Sequence, residues 1–158
     1  MNIVHVTTTD PAGSVYNMAN AVNQHTEHRA RVITTHRIDA FDFPADLHWV
    51  FDGGDEMSAL LEKADVIHLH KVDPKFKIEF EMPKAGIKRT FVIEDVLKND
   101  PNKRVVFHVH GHPYERGNVK ENAENYAKWG AKVLTSTPDL EEMYLAHNKD
   151  VSYFPNCV

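Results

Sequence analysis

The stretch that decides the fold is KRVVFHVHGHPYERG, from Lys103 to Gly117. Its apolar half alternates with two histidines, His108 and His110, and then stops in a Gly-His-Pro turn. Such a run is typical of a buried parallel strand that ends at the carboxyl edge of an α/β sheet, where ligands bind. Upstream, DVIHLH from Asp65 to His70 repeats the arrangement. Two strands with histidine-bearing ends predict one shared site.

Strand-like and helix-like patterns alternate from this stretch outward in both directions. The predicted strands span 2–7, 31–35, 49–51, 66–70, 104–110, 132–135 and 151–154. The predicted helices are one that begins with Ser14 as N-cap, 57–64, 88–98, one from Val119 that stops at Gly130, and one opened by Ser136 or Thr137 ahead of Pro138. The charged text between Lys71 and Ile87 predicts a long surface loop with a short strand at IEF. The alternation predicts an α/β fold: an open, Rossmann-like parallel sheet with helices on both faces.

Composition excludes several classes of protein. The chain has 158 residues, which is the length of one domain. Its net charge of -5 and pI near 6.1 argue against a general nucleic-acid binder. A single cysteine, Cys157, excludes an internal disulfide, so we expect a cytoplasmic protein. No apolar run has the length of a membrane span, and any membrane contact is expected to be peripheral.

The turn Pro11-Ala12-Gly13-Ser14 joins the first predicted strand to the first predicted helix. Backbone N–H groups and the positive end of the helix dipole can hold a phosphate at such a turn, although a tight connection explains the residues equally well. A dinucleotide site is not expected, because one glycine replaces the G-x-G-x-x-G set and no acidic residue ends the second strand.

The paired histidines admit two kinds of chemistry. His-x-His on a strand points both rings to one face, so His68 with His70, or His108 with His110, could form half a metal site. A metal site usually adds a carboxylate, and none is placed by the sequence. Hydrogen bonding or proton transfer to a hydroxylated ligand is the other reading, and it is the one we adopt.

Four histidines are expected to have structural roles. His68 and His108 lie deeper in their strands and are predicted to be core residues with satisfied hydrogen bonds, or residues that support a ligand-contacting histidine. His5, on the first strand, and His36, after the second, are expected to have structural roles as well.

The order of these features resembles the N-terminal half of a two-domain GT-B glycosyltransferase of the retaining, family-4-like (group 1) class. That class has a glycine-containing first loop, a D-V-I-H-x-H strand, a V-V-x-x-x-H-G strand, an S/T-x-x-L segment and a V-x-x-x-P-N-G-V crossing. The corresponding pieces are Asp10–Ser14, Asp65–His70, Val105–Gly111, Thr135–Leu140 and Val151–Val158. They cover essentially the whole chain, in the family's order.

The resemblance implies roles for individual residues. His110 matches the family's strand-end histidine, which contacts the sugar, and is the implied catalytic residue. The implied substrate-binding residues are Gly13, Ser14, His70, Gly111, His112 and Arg116. The chain departs from the family in having Ala12-Gly13 for a glycine pair and Cys157 for the linker glycine.

For the complete enzyme, the resemblance implies transfer of a sugar from a nucleotide-sugar donor to a hydroxylated acceptor. The acceptor classes that it implies are a glycan, a lipid or a small molecule. It implies no metal and no other cofactor. Residues 1–154 would form the N-terminal domain, 155–158 would begin the linker, and a C-terminal donor-binding domain, in cis or in trans, would lie outside this chain. The alternatives are a metal-dependent hydrolase built on the His-x-His strands and a non-catalytic sugar- or nucleotide-binding module.

Overall fold

One parallel sheet organises the molecule. The computed structural model describes residues 1–8, 10, 13–34, 43–48, 54–70, 77–82, 87–92, 100 and 102–155. Within these ranges seven strands pair in parallel in the order β3-β2-β1-β4-β7-β8-β9. Their bounds are β1 Asn2–Thr7, β2 Arg29–Thr34, β3 Leu47–His48, β4 Val66–His70, β7 Arg104–Val109, β8 Lys132–Thr135 and β9 Val151–Tyr153. A separate antiparallel hairpin consists of β5 Lys77–Met82 and β6 Ile87–Val92.

Helices cover both faces of the sheet. They are α1 Ser14–His25, α2 Gly54–Lys63, α3 Pro113–Gly117, α4 Val119–Lys128 and α5 Pro138–Leu145. On one face, Val15 and Ala19 of α1 pack on Ala30 and Val32 of β2. The opposite face is larger and is covered by α2, α4 and α5, whose buried residues join those of the strands in one apolar cluster. The predicted fold class is therefore confirmed.

The strands alternate apolar residues with histidines, and the register aligns the histidines. His5 of β1 pairs with His68 of β4, and His70 of β4 pairs with His108 of β7. Partners in a parallel pair point to the same face, so these four rings share the face that does not hold the larger apolar cluster. That cluster instead receives the alternate residues, such as Leu69 and Phe107.

Most predicted elements are present with small shifts of their ends. The strand predicted to end at His110 ends at Val109, and the N-cap of α1 is Gly13 instead of Ser14. Thr137 caps α5 ahead of Pro138, and Gly130 follows α4 with a φ of 61° as predicted. None of the helices in the described ranges is long and apolar enough to cross a membrane.

The prediction of a helix over 88–98 is wrong where the structure describes it. Ile87–Val92 is a strand that pairs antiparallel with Lys77–Met82, the segment in which the IEF strand was expected. Pairing with another segment overrides the local helical spacing. Residues 93–98 lie outside the described residues, as do the strand predicted at 49–51 and His36.

Candidate functional site

Five of the 11 histidines form one cluster where β1, β4 and β7 lie side by side. The rings of His68 and His70 stack with centroids 4.1 Å apart, and those of His108 and His110 stack at 4.3 Å. The ring centroid of His5 lies 4.8 Å from that of His68. Four of the five are buried, while His110, one residue beyond β7, is half-buried. The two His-x-His pairs thus form one shared site, as their spacing predicted.

A hydrogen-bonded chain of three imidazoles crosses the cluster. His5 Nδ1 lies 3.1 Å from His70 Nε2, and His70 Nδ1 lies 3.1 Å from His110 Nε2. Each neutral imidazole carries one N–H and one lone pair, so His70 can donate to one neighbour while it accepts from the other. The chain links a buried ring of β1 to the half-buried ring at the sheet edge.

Burial keeps these rings neutral. It lowers the pKa of His5 to about 4 and, together with the neighbouring His110, the pKa of His108 to about 3. Burial and the adjacent imidazoles also hold the pKa of His68 and of His70 well below the ordinary value. At neutral pH the four buried rings of the cluster are therefore uncharged imidazoles, which is the form that binds hydroxyl groups or metal ions.

The prediction that His68 and His108 are satisfied core residues, or residues that support a ligand-contacting histidine, is confirmed for their burial, at 6% and 1% exposure, but not for all their hydrogen bonds. Within the part of the chain that the structure describes, the Nε2 of His68 has no hydrogen-bond partner. The backbone of Phe154 interacts with His108, and at least one ring nitrogen of His108 has no partner there. The Nε2 of His5 also has no hydrogen-bond partner within the described residues. Buried polar atoms normally have partners, so this concentration of unpartnered nitrogens makes the cluster the candidate site.

A buried carboxylate shapes the turn after β7. Glu115 Oε2 accepts hydrogen bonds from the backbone N–H of His112 at 2.7 Å and of His110 at 3.2 Å. Gly111, between them, has a φ of 87°, and a Cβ there would lie 3.3 Å from both Arg116 and Leu140. The turn is thus fixed by one acid and one glycine, and its geometry directs His110 toward His70.

The remaining predicted residues of this turn lie at its surface. His112 is exposed and is the N-cap of α3. Arg116 donates from Nε to the backbone oxygen of Gly111 at 3.3 Å and forms an ion pair with Asp139 of α5. Hydrogen bonding from Arg116 lowers the pKa of Asp139 to about 2. This ion pair joins α3 to α5 beside the histidine edge.

The turn between β1 and α1 reaches the same carboxyl edge. Gly13 has a φ of 68°, and the ring of Phe43 occupies the space that a Cβ would need, at 2.6 Å. Asp10 accepts from the backbone N–H of Tyr16 at 2.8 Å and from the hydroxyl of Ser14 at 3.4 Å. A carboxylate therefore already occupies the start of α1, which disfavours a second anion there.

Two overlapping triads could hold a metal ion. His5, His68 and His70 form one, and His70, His108 and His110 form the other. In each triad one nitrogen per ring lies within 4.8 Å of the others. His70 belongs to both, because its two nitrogens face opposite neighbours.

Sequence reasoning missed His5 and Glu115 as parts of the site. His5 sits in a lone position on β1, and its place beside His68 follows from strand register, which no local pattern encodes. Glu115 was visible near the strand end, but the direction of its side chain depends on the turn. The Pro113-Tyr114-Glu115 order was an available signal, since an acid at the third position of a helix often bonds backward to the cap.

A scan of protein-family models and a search of curated proteins both return no match. Several solved structures match in fold. An alpha-glucosyltransferase in complex with UDP and a 13-mer DNA containing a central A:G mismatch has a TM-score of 0.53 and 14% identity, over 98% of this chain and 40% of that chain. UDP-GlcNAc 2-epimerase from Neisseria meningitidis, bound to UDP-GlcNAc, has a TM-score of 0.55 and 12% identity, over 99% and 47%.

UDP-N-acetylglucosamine 2-epimerase from Rickettsia bellii has a TM-score of 0.54 and 10% identity, over 99% of this chain and 45% of that chain. The fold is that of one GT-B half-domain. The chain spans less than half the length of these three neighbours.

Proposed function

We propose that this chain is the acceptor-side half of a nucleotide-sugar-dependent glycosyltransferase. The complete enzyme would transfer a sugar to an acceptor hydroxyl, with retention of anomeric configuration as in the class that the sequence resembles. Residues 1–154 form the domain in this proposal, 155–158 begin the linker, and a second domain holds most of the nucleotide. The chain alone should then fold but transfer sugar poorly, and robust transfer by the purified chain would contradict this.

The observation that carries the proposal is the position of His110. It is half-buried at the carboxyl edge, 3.1 Å from His70, in a sheet whose central strands all end there. This edge is the ordinary ligand crevice of open α/β sheets. The solved neighbours include proteins bound to UDP or UDP-GlcNAc, which supports a nucleotide sugar as the ligand class.

In this proposal His110 orients the sugar or the acceptor hydroxyl, and His70 orients the ring of His110 through their hydrogen bond. The turn of Gly111 and His112 offers further polar contacts, with Arg116 beside it. Because Asp10 occupies the start of α1, we assign the loop of Gly13 and Ser14 to sugar or acceptor hydroxyls instead of to phosphate.

Epimerisation of a nucleotide sugar is the second candidate, because two of the neighbours are UDP-GlcNAc 2-epimerases. The two candidates differ in their need for an acceptor. Proton NMR that detects inversion at the sugar C2 of UDP-GlcNAc in the absence of an acceptor would favour epimerisation. Release of UDP that requires an added acceptor would favour transfer.

Saturation-transfer NMR with UDP-glucose, UDP-GlcNAc and UDP tests the proposal at the level of binding. We expect the sugar protons to be saturated, and we expect His110→Ala to reduce that effect at least several-fold. His147→Ala is the matched control, because His147 is exposed after α5. Equal signals for His110→Ala and the control would overturn the proposal.

A further inference from the structure

The triad of His70, His108 and His110 lies at the carboxyl ends of β4 and β7. One ring nitrogen of each residue lies within 4.8 Å of those of the other two. His70 and His108 are each 1% exposed, and His110 is half-buried. Two strands in register fix the first two rings, and Glu115 fixes the turn that carries the third. The triad is therefore held by the scaffold and does not depend on a loose loop.

One separation within the triad already suits a small divalent ion. His70 Nδ1 and His110 Nε2 are 3.1 Å apart. Two nitrogens bound at 2.0–2.1 Å to a tetrahedral ion lie about 3.3 Å apart, so this pair needs almost no movement. Imidazole ligands suit Zn²⁺ and the neighbouring ions Co²⁺, Ni²⁺ and Cu²⁺ better than Mg²⁺ or Ca²⁺.

His108 supplies the independent observation. The backbone of Phe154 interacts with its ring, and at least one of its ring nitrogens has no hydrogen-bond partner within the described residues, although the residue is buried. An unpartnered buried polar group is destabilising. A bound ion would accept the lone pair of one nitrogen and so remove part of that cost.

His5 contacts the ring nitrogen of His70 that does not face the proposed ion. Its Nδ1 lies 3.1 Å from His70 Nε2, so it can accept the Nε2–H of His70 and leave the Nδ1 lone pair of His70 for an ion. Ligand histidines generally donate their other N–H in this way, which fixes the tautomer and the ring orientation. His5 is a positioning residue in this arrangement.

The edge triad is favoured over the deeper one. Each member of His5, His68 and His70 is buried, whereas His110 opens the edge triad to the crevice and provides an entry path. Using both triads at once would require His70 to bind two ions through its two nitrogens. Glu115, the acid of the turn, already accepts two backbone N–H groups, so within the described residues the ligands of this triad are imidazoles.

We propose that His70, His108 and His110 bind one divalent transition-metal ion of the zinc class, with the remaining coordination positions open toward the crevice. This site goes beyond the proposed sugar transfer, which requires no metal. Its test uses no nucleotide sugar, so the failure of either proposal is visible separately.

Cobalt titration of protein stripped with EDTA tests the site. We expect one equivalent of CoCl₂ to produce the visible d–d absorption of a bound ion, and one equivalent of ZnCl₂ to abolish it. His108→Gln and His110→Gln should each weaken cobalt binding more than tenfold. The double variant His25→Gln/His147→Gln, which removes two exposed histidines, should bind like the wild type.

Three results would overturn the site. They are the absence of a stoichiometric cobalt band in the wild type, wild-type binding by both edge variants, and loss of binding in His68→Gln with retention in His108→Gln. Circular dichroism in EDTA checks that each variant folds. If buried His108→Gln does not fold, half-buried His110→Gln decides the outcome.

Discussion

At the scale of single residues, Gly111 controls the direction of His110. Its φ of 87° belongs to the region that favours glycine, and a Cβ would press on Arg116 and Leu140 at 3.3 Å. We predict that Gly111→Ala lowers the free energy of unfolding by about 1–3 kcal/mol, because backbone strain and close contact add. Urea unfolding measures the change.

Gly117→Ala is the matched control for this prediction. A Cβ at Gly117 meets nothing within 4 Å, and the residue ends α3. Alanine there should leave stability unchanged or raise it slightly. Equal free energies for Gly111→Ala and Gly117→Ala would contradict the role of Gly111 in the turn.

Residue types alone predicted part of the site. His70 and His110 were found because His-x-His on a strand places both rings on one face, which is a rule of backbone geometry. The incomplete hydrogen bonding of the His108 ring could not be predicted, because it depends on which residues pack against the ring in the folded protein. The ring of Phe43 over Gly13 is likewise a tertiary contact with no local signal.

At the scale of elements, a buried lysine ties α2 to the sheet. The ammonium of Lys103 donates to the backbone oxygens of Leu61, Glu62 and Ala64 at 2.7–3.2 Å, and its side chain is 2% exposed. These carbonyls lie at the C-terminal end of α2, where the helix dipole also favours a cation. Lys103 precedes β7, so one side chain joins the helix to the strand that carries His108.

We predict that Lys103→Met lowers the free energy of unfolding by about 2–4 kcal/mol, since three buried carbonyls lose a charged donor. Lys132→Met is the control, because Lys132 is 45% exposed and pairs with Asp150 at the surface. The control should cost less than about 1 kcal/mol. Denaturant unfolding compares the two, and similar losses would remove the anchoring role of Lys103.

Elements were predicted correctly where the spacing of apolar residues within a segment indicates its type. The strands of the parallel sheet are short apolar runs, and segments with helical spacing lie between them. A helix was predicted over 88–98, whereas Ile87–Val92 is a strand, because its antiparallel pairing with Lys77–Met82 is a tertiary contact that the local spacing does not encode. Thr90, Phe91 and Val92 are strand-favouring residues and were the available signal.

At the scale of the whole molecule, the sheet holds four buried histidines in their neutral form. The pKa of His5 is lowered to about 4 in the folded protein, whereas its ordinary value is 6.5. Between these values the unfolded chain binds more protons than the folded one, so stability is full above pH 6.5 and is lost as the pH falls toward 4.

We predict that metal-free protein loses about 2 kcal/mol between pH 7.5 and pH 5 from His5 alone, with a further loss from His108, whose pKa is lowered to about 3. Urea unfolding in EDTA at several pH values measures this slope. Replacing the exposed His25 and His147 by glutamine should leave the slope unchanged. A free energy of unfolding that stays constant over this range would contradict the burial of neutral rings.

In the proposed function, the whole molecule acts through one edge of the sheet. The most direct test is amide mapping by ¹H–¹⁵N NMR during titration with UDP-glucose and UDP-GlcNAc. We predict shifts at Gly13, Ser14, Gly111 and His112, on the carboxyl edge, and none at Asp65 or Arg104, on the opposite edge. Shifts confined to the opposite edge would contradict the proposal that the histidine edge is the sugar-binding site.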